Sequence, residues 1–275
     1  MKGLLLAGGH GTRLRPLTYT GNKHMLPVAN KPILLYGLEQ LRDAGITEIG
    51  IILGPIKEGI EEAIGDGSKF GVKVTYINQP EPRGIAHAVG ISEDFIGDGP
   101  FVVYLGDNLL KKGIKPFVKE FQRENWDELL LLSKIEDLAK RKRFGVAHIK
   151  NNKIIRVIEK PEKPEEISSD LVMIGVYMFR PKIFEAIKQL KPSWRNELEI
   201  TDAIQKLIDW GCKVAPRVTQ GWWKDTGAPE DILEANRLVL DELKPEVKGK
   251  IENKSSIQGR VTVEENALIK EGALI

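Results

Sequence analysis

Short apolar runs alternate with amphipathic stretches through the first half of the chain. Leu4–Ala7, Ile49–Leu53, Val72–Ile77 and Phe101–Leu105 read as strands, being short runs that are mostly apolar. Between them, Pro32–Ala44, Lys57–Ile64, Ile85–Ile91 and Ile114–Asn125 carry apolar residues at helical spacing. Strand and helix in alternation predict an α/β fold with a mostly parallel sheet covered by helices. Ligands of such sheets sit beyond the carboxyl ends of the strands. The glycine-rich loop after Ala7 and the Gly106-Asp107-Asn108 turn after Leu105 both fall at that edge.

The second half is more mixed. Strands are predicted at Leu129–Lys134, Gly145–Ile149, Lys153–Ile158 and Met173–Phe179, and helices at Ile183–Leu190, Ile200–Trp210 and Pro229–Leu243. Asn151-Asn152 between two alternating runs predicts a hairpin turn. These elements read as insertions that complete one Rossmann-like, mixed but mostly parallel domain over residues 1–243. After Pro245 the texture changes. Ile251, Ile257, Val263, Ile269 and Ile275 recur every six residues, with Ser255, Val261, Ala267 and Ala273 keeping the same register. This period is the signature of a hexapeptide parallel β-helix, expected to begin over residues 246–275. A repeat of this kind needs several stacked units. The chain is therefore expected to be cut here, or this end to pack on the main domain or on a second subunit.

With 275 residues, 41% of them hydrophobic, the chain can bury a substantial core. Its formal net charge of +2 gives no global field for nucleic acid or a membrane surface, so small partners are expected. Cys212 is the single cysteine, which excludes an internal disulfide and a cysteine metal cluster and suits the cytoplasm. No apolar run approaches a membrane span, and Gly3–Ala7 is too short for a signal segment.

The candidate chemistry is concentrated at the strand ends. Gly8, Gly9 and Gly11 remove side chains that would keep an anion from the main chain, and Arg13 and Arg15 add forked donors. The loop lacks the Gly-Lys-Ser/Thr of a Walker loop, and Leu14 breaks a G-x-G-x-x-G pattern. Asp107 and Asp225, each after an apolar or aromatic strand, suit Mg²⁺, which takes few protein oxygens and fills its shell from water and phosphates. An Asp in a turn and an Asp near a helix cap are the ordinary alternatives for these two. Lys23 stands before an apolar Met-Leu-Pro-Val stretch, and Lys160 ends a strand before a proline. Gln79 follows another strand, where an amide can read a base or a ribose. His10, His24, His87 and His148 have no zinc or triad spacing. Trp222-Trp223 reads as core or pocket wall.

Taken in order, Leu-Ala-Gly-Gly-x-Gly-Thr-Arg-Leu at 6–14, Asn-Lys-x-x-Leu-Pro at 22–27, Lys-Pro-Ile at 31–33, Gln79 with Gly84, Leu-Gly-Asp-Asn at 105–108, Glu-Lys-Pro at 159–161, Glu-Leu-Glu-Ile-Thr-Asp at 197–202 and Trp-x-Asp-Thr-Gly at 223–227 resemble the sugar-1-phosphate nucleotidyltransferases. The chain is most similar to the glucose-1-phosphate thymidylyltransferases, in the long form that carries a C-terminal left-handed parallel β-helix. The resemblance implies that Leu6, Ala7, Gly8, Gly9, Gly11, Thr12, Arg13, Lys23, His24, Gln79, Gly84 and Asp107 hold dTTP, or UTP, with Arg13 and Lys23 on the phosphates and Gln79 and Gly84 at the base. It implies that Asn108, Gly145, Glu159, Lys160 and Met173 face the sugar 1-phosphate, and that Asp107 and Asp225 bind Mg²⁺. Arg13, Lys23, Asp107, Lys160 and Asp225 would form the catalytic set. A homo-oligomer is implied as well. His24 stands where the short thymidylyltransferases typically carry Gln, so nucleotide contacts are expected to differ there.

Three other readings compete. One is a UTP-dependent uridylyltransferase acting on glucose or N-acetylglucosamine 1-phosphate. A nucleotide-sugar glycosyltransferase would use Asp107-Asn108 at its metal but leaves the glycine loop without a task. A non-catalytic sugar-nucleotide sensor is disfavoured by the intact set of charged residues.

Overall fold

The computed structural model describes residues 1–253 and 255–275. Nine strands form the main sheet. They are β1 (Lys2–Ala7), β2 (Glu48–Leu53), β3 (Lys73–Asn78), β4 (Phe101–Leu105), β5 (Glu128–Lys134), β6 (Val146–Lys150), β7 (Lys153–Ile158), β8 (Leu171–Phe179) and β9 (Val214–Val218). The path through the sheet is β7-β6-β8-β4-β1-β2-β3, with β5 on β8 and β9 on β5. The first-half strands β3, β2, β1 and β4 are parallel, as the alternation with helices predicts. In the second half, β8 joins β4 antiparallel and carries β5 and β6 antiparallel as well.

The helices of six residues or more, among the described residues, are α1 (Ile33–Asp43), α2 (Ile85–Gly90), α3 (Lys115–Arg123), α4 (Lys182–Lys188), α5 (Ile200–Asp209) and α6 (Pro229–Asp241); the first five pack on the sheet, and α6 packs on Val28 and Leu109. Successive strand side chains point to opposite faces. Leu4 and Leu6 therefore join the apolar cluster under α2, α4 and α5, while Leu5 and Ala7 join the one under α1 and α3. Burial on both faces explains why β1 is apolar from Gly3 onward instead of alternating. At Gly37, α1 presses onto β1 so closely that a Cβ would lie 2.9 Å from a Leu5 methyl and 3.0 Å from the Tyr104 ring.

Most predicted boundaries agree within a residue or two. The predicted helix 57–64 begins only at Ile60, because Gly59 (φ 79°) takes a left-handed conformation. Strand β9 has no counterpart in the sequence reading: Pro216 and Arg217 interrupt its apolar run, and among the described residues the strand pairs only with β5, an edge position that tolerates proline. Asn151 and Asn152 both have positive φ, 51° and 58°, between paired Lys150 and Lys153, as a two-residue type I′ hairpin requires.

Beyond α6, Lys250–Ile251 pairs parallel with Leu268–Ile269, and Ser256 bridges Leu274, in each case three hexads along the chain. Val263 is buried there, and Thr262 Oγ1 donates to the Lys244 carbonyl at 3.0 Å. Among the described residues, no helix is long and apolar enough to cross a membrane.

Candidate active site

The site lies beyond the carboxyl ends of β1 and β4. Gly106 donates its N–H to the Leu6 carbonyl at 2.9 Å, and a Cβ at Gly106 would lie 2.7 Å from that same oxygen. Only a glycine lets the chain turn there, and the turn delivers Asp107 beside the loop that follows Ala7. The loop is equally tight: a Cβ on Gly9 would meet the Lys23 side chain at 3.1 Å, and Gly11 has φ 64°.

A second carboxylate arrives on a small ribbon. Asn108–Leu110 pairs antiparallel with Trp223–Asp225, in a register that sets Asp225 opposite Asn108. The ribbon is pinned by Thr226, whose N–H and hydroxyl donate to the Asp107 carbonyl at 3.0 and 2.8 Å. Buried Asn108 locks the turn from below. Its Oδ1 accepts from the Trp223 indole at 2.6 Å and from the Gly175 N–H at 3.1 Å, and its Nδ2 donates to Asp107 Oδ1 at 2.9 Å.

Lys23 ion-pairs with Asp107 Oδ2. Burial would raise the Asp107 carboxyl, but the Lys23 ammonium and the hydrogen bonds from Lys23 and Asn108 hold it well below the usual carboxylate range. Asp225 goes the other way: burial first, then the neighbouring Asp107 charge, push it up to about 6. Asn22 accepts from the His24 N–H and faces its Nδ1, both at 2.8 Å. Burial and the Lys23 charge push that imidazole down to about 3, so His24 is neutral at ordinary pH.

Two cavities open on these groups. The first, about 280 Å³, is bounded by Leu6, Gly8, Gly9, Lys23, His24, Gln79 and Gly84. The second, about 180 Å³, is bounded by Asn108, Gly145, Glu159, Lys160, Met173 and Asp225. They share a wall formed by Ile85, Leu105 and Asp107. The residues expected at the nucleotide and those expected at the sugar phosphate thus fall into two adjoining spaces. Three of the former, Ala7, Gly11 and Thr12, shape the loop without lining either space. Arg13 lines the second, and its guanidinium converges with Asp225 at Gly227, where a Cβ would lie 3.1 Å from Arg13 Nη2 and 2.8 Å from Asp225 Oδ2.

Lys160 takes φ 40° at the end of β7, an uncommon left-handed conformation for a side-chain-bearing residue, and donates its N–H to the Phe144 carbonyl at 3.2 Å. Burial, and then the Arg195 charge, lower its ammonium pKa. Glu159 accepts from Thr201 at 3.4 Å and from Arg195 at 3.5 Å, while burial raises its carboxyl.

Sequence reasoning missed Arg195, which lines the first cavity and pairs with Glu159 and Glu197, and Arg143, which lines the second and pairs with Asp231 at 2.7 Å. Arg195 stands two positions before the Glu-Leu-Glu-Ile-Thr-Asp motif, and that proximity was the one available signal. Its loop is spliced to the turn after β3: Leu198 donates to the Arg83 carbonyl at 2.8 Å and accepts from the Ala86 N–H at 3.1 Å. Arg13, Lys23, Arg143, Lys160 and Arg195 thus line the two cavities together with Asp107, Asp225, Glu159 and Glu197, an arrangement that can hold two phosphorylated ligands head to head with a divalent cation between them.

A nucleotidyl transferase family model matches residues 2–242, and the chain belongs to this family. It is 48% identical over 269 residues to a low-salt glycan biosynthesis nucleotidyltransferase of Haloferax volcanii, covering 97% of this chain and 74% of that one. A glucose-1-phosphate thymidylyltransferase of Streptomyces griseus is 47% identical over 275 residues, covering 100% of this chain and 76% of that one. Among solved structures, a Bacillus anthracis protein assigned as a glucose-1-phosphate thymidylyltransferase, in complex with sucrose, is similar with a TM-score of 0.81 and 40% identity, over 90% of this chain and 98% of that one.

Proposed function

We propose that the chain transfers a thymidylyl group from dTTP to glucose 1-phosphate and releases pyrophosphate, with UTP as the alternative nucleotide. One observation carries the reading: two cavities, each with its own cations, meet at a single carboxylate, Asp107. A glycosyltransferase needs no triphosphate loop beside the first of them.

The nucleotide occupies the first cavity, with its phosphates over Gly8, Gly9 and Lys23, and the sugar phosphate occupies the second beside Lys160. The attacking phosphate oxygen is already mostly ionised, because the second pKa of a phosphate monoester is about 6. No general base is required. A bond forms from that oxygen to the α-phosphorus as the bond to the β-phosphate bridging oxygen breaks, and the electron pair leaves with pyrophosphate. The obstacle is mutual repulsion of two anions. Arg13, Lys23, Lys160 and Arg195 offset it and hold the groups in line.

Asp107 and Asp225 fit a magnesium ion. They are partly buried carboxylates on the wall of the second cavity, and burial and then the charge of Asp107 raise the Asp225 carboxyl, a repulsion that a divalent cation would offset. Such an ion, when bound, supplies charge neutralisation on the phosphate oxygens. The parallel pairing at a spacing of three hexads supports reading residues 246–275 as the first coil of a left-handed β-helix.

The reading is tested by offering dTTP and UTP, each with glucose 1-phosphate and N-acetylglucosamine 1-phosphate, and measuring pyrophosphate. Release with dTTP and glucose 1-phosphate above the other pairs is expected. Binding without turnover in every pair would replace the enzyme with a sensor.

A further inference from the structure

We propose that His87, on α2, is a positioning residue that fixes which end of the Gln79 amide faces the nucleotide base. The inference rests on the first cavity being the nucleotide site. Gln79 is only 4% exposed. Its side-chain nitrogen lies 3.3 Å from the Gly84 carbonyl oxygen and 2.9 Å from His87 Nδ1. A carbonyl oxygen can only accept, so the amide end facing Gly84 is the NH₂ group. The same NH₂ faces Nδ1, which must then be the unprotonated nitrogen of a neutral ring, with the proton on Nε2.

With the NH₂ so engaged, Oε1 is left at the glycine loop, 2.9 Å from where a Cβ of Gly8 would stand. No donor reaches Oε1 among the described residues. Gln79 and Gly8 both line the first cavity, so what the amide offers there is an acceptor. An acceptor matches the N3–H donor of thymine or uracil and repels the N3 lone pair of cytosine. Turning the amide over would reverse that preference. It would also set Oε1 against the Gly84 oxygen and leave Nδ1 facing another acceptor. His87 thus supplies the second of two acceptors that hold the reading end in place, and it does so from outside the lining of the cavity. Partial burial, and then the charge of Arg83, keep the ring pKa below its ordinary value, in keeping with the neutral form.

The test compares the parent with His87→Leu, which removes the acceptor, and His87→Gln, whose carbonyl can restore it. Initial rates are measured with dTTP and with dCTP varied at saturating glucose 1-phosphate, and with glucose 1-phosphate varied at saturating dTTP, alongside Tm. In His87→Leu, KM for dTTP is expected to rise about 3–10-fold and the preference for dTTP over dCTP to narrow by a similar factor, with kcat and the KM for the sugar phosphate unchanged. His87→Gln should recover most of the preference. A dTTP-to-dCTP ratio in His87→Leu equal to the parent's overturns the role of His87, as does a His87→Gln that behaves like His87→Leu. A parent that neither turns over nor binds dTTP by calorimetry overturns the nucleotide reading beneath it, and this inference with it.

Discussion

Lys23 donates to Asp107 Oδ2 across a sequence separation of 84 residues, and the two side chains are only 14% and 15% exposed. The pair ties the turn at Lys23, which packs against Gly9 and Gly11, to the carboxyl end of β4. Asp107→Asn keeps the shape and removes the charge. A fall in kcat of about 10²–10³-fold is expected, the scale on which a single charge-stabilising group acts at a reaction centre. Rates near the parent's at saturating Mg²⁺ would remove Asp107 from the metal site, and circular dichroism melting should show the fold retained.

Lys160 is held by its left-handed backbone in the wall of the second cavity only. Lys160→Met keeps the stem and deletes the ammonium. The KM for glucose 1-phosphate should rise about 10–100-fold, the value of a hydrogen bond to a charged group, and the KM for dTTP should stay within about twofold. Equal effects on both substrates would contradict the division of the site.

Asn108 satisfies two buried N–H groups while bonding Asp107. Asn108→Leu strands the Gly175 N–H and the Trp223 indole, at about 1–3 kcal/mol each before relaxation. A lowered Tm together with reduced turnover is expected. Asn108→Asp, which restores the acceptor, should recover part of the stability but add charge beside Asp107. An unchanged Tm in Asn108→Leu would show that water or a shifted neighbour satisfies both donors.

Glu128, at the first position of β5, is 0% exposed, and neither carboxylate oxygen has a partner among the described residues. Burial, and then the charge of Asp127, raise its pKa well above 4.5. The folded state therefore keeps a proton that the unfolded chain loses as pH rises. Stability from this group is complete below the unfolded value and declines upward, by about 1.4 kcal/mol per pH unit until the folded pKa is reached. Glu128→Gln cannot titrate, so its Tm should exceed the parent's by a margin that widens from mildly acid to mildly alkaline buffer. A margin independent of pH would refute the buried neutral carboxyl.

The parallel half of the fold was legible because its strands are buried on both faces and its helices on one, so each leaves its own period in the residues. Asp107, Lys160 and the glycine loop were legible for a related reason: each ends a readable strand, and strand ends are where such sheets bind ligands. Strand β9 was hidden by Pro216 and Arg217, which an exposed edge tolerates and a hydrophobic pattern does not reveal. Arg143 was hidden because nothing local distinguishes it, and Arg195 because its nearness to the Glu-Leu-Glu-Ile-Thr-Asp motif does not say which cavity it faces. Arg143 is placed by Asp231, far along the chain, and Arg195 by neighbouring Glu197 at 2.7 Å together with distant Glu159 at 3.5 Å. The position of Gln79 after β3 suited it to a base or a ribose, and only the resemblance narrowed that to the base, while its orientation depends on a histidine that the sequence shows only as one of four without a metal spacing.

The hydrogen bonds of Leu198 to Arg83 and Ala86 join the turn that carries Gln79 and Gly84 to the loop that carries Arg195 and leads into Thr201. At Gly84 a Cβ would stand 2.4 Å from the Leu198 oxygen, so the two segments touch with no room for a side chain between them. An engineer who reshapes one loop to admit a different base will therefore move the other. On the proposed assignment of the two cavities, donor and acceptor selectivity are expected to change together, and libraries that vary residues 79–85 and 195–201 jointly are expected to yield altered pairings that neither loop gives alone.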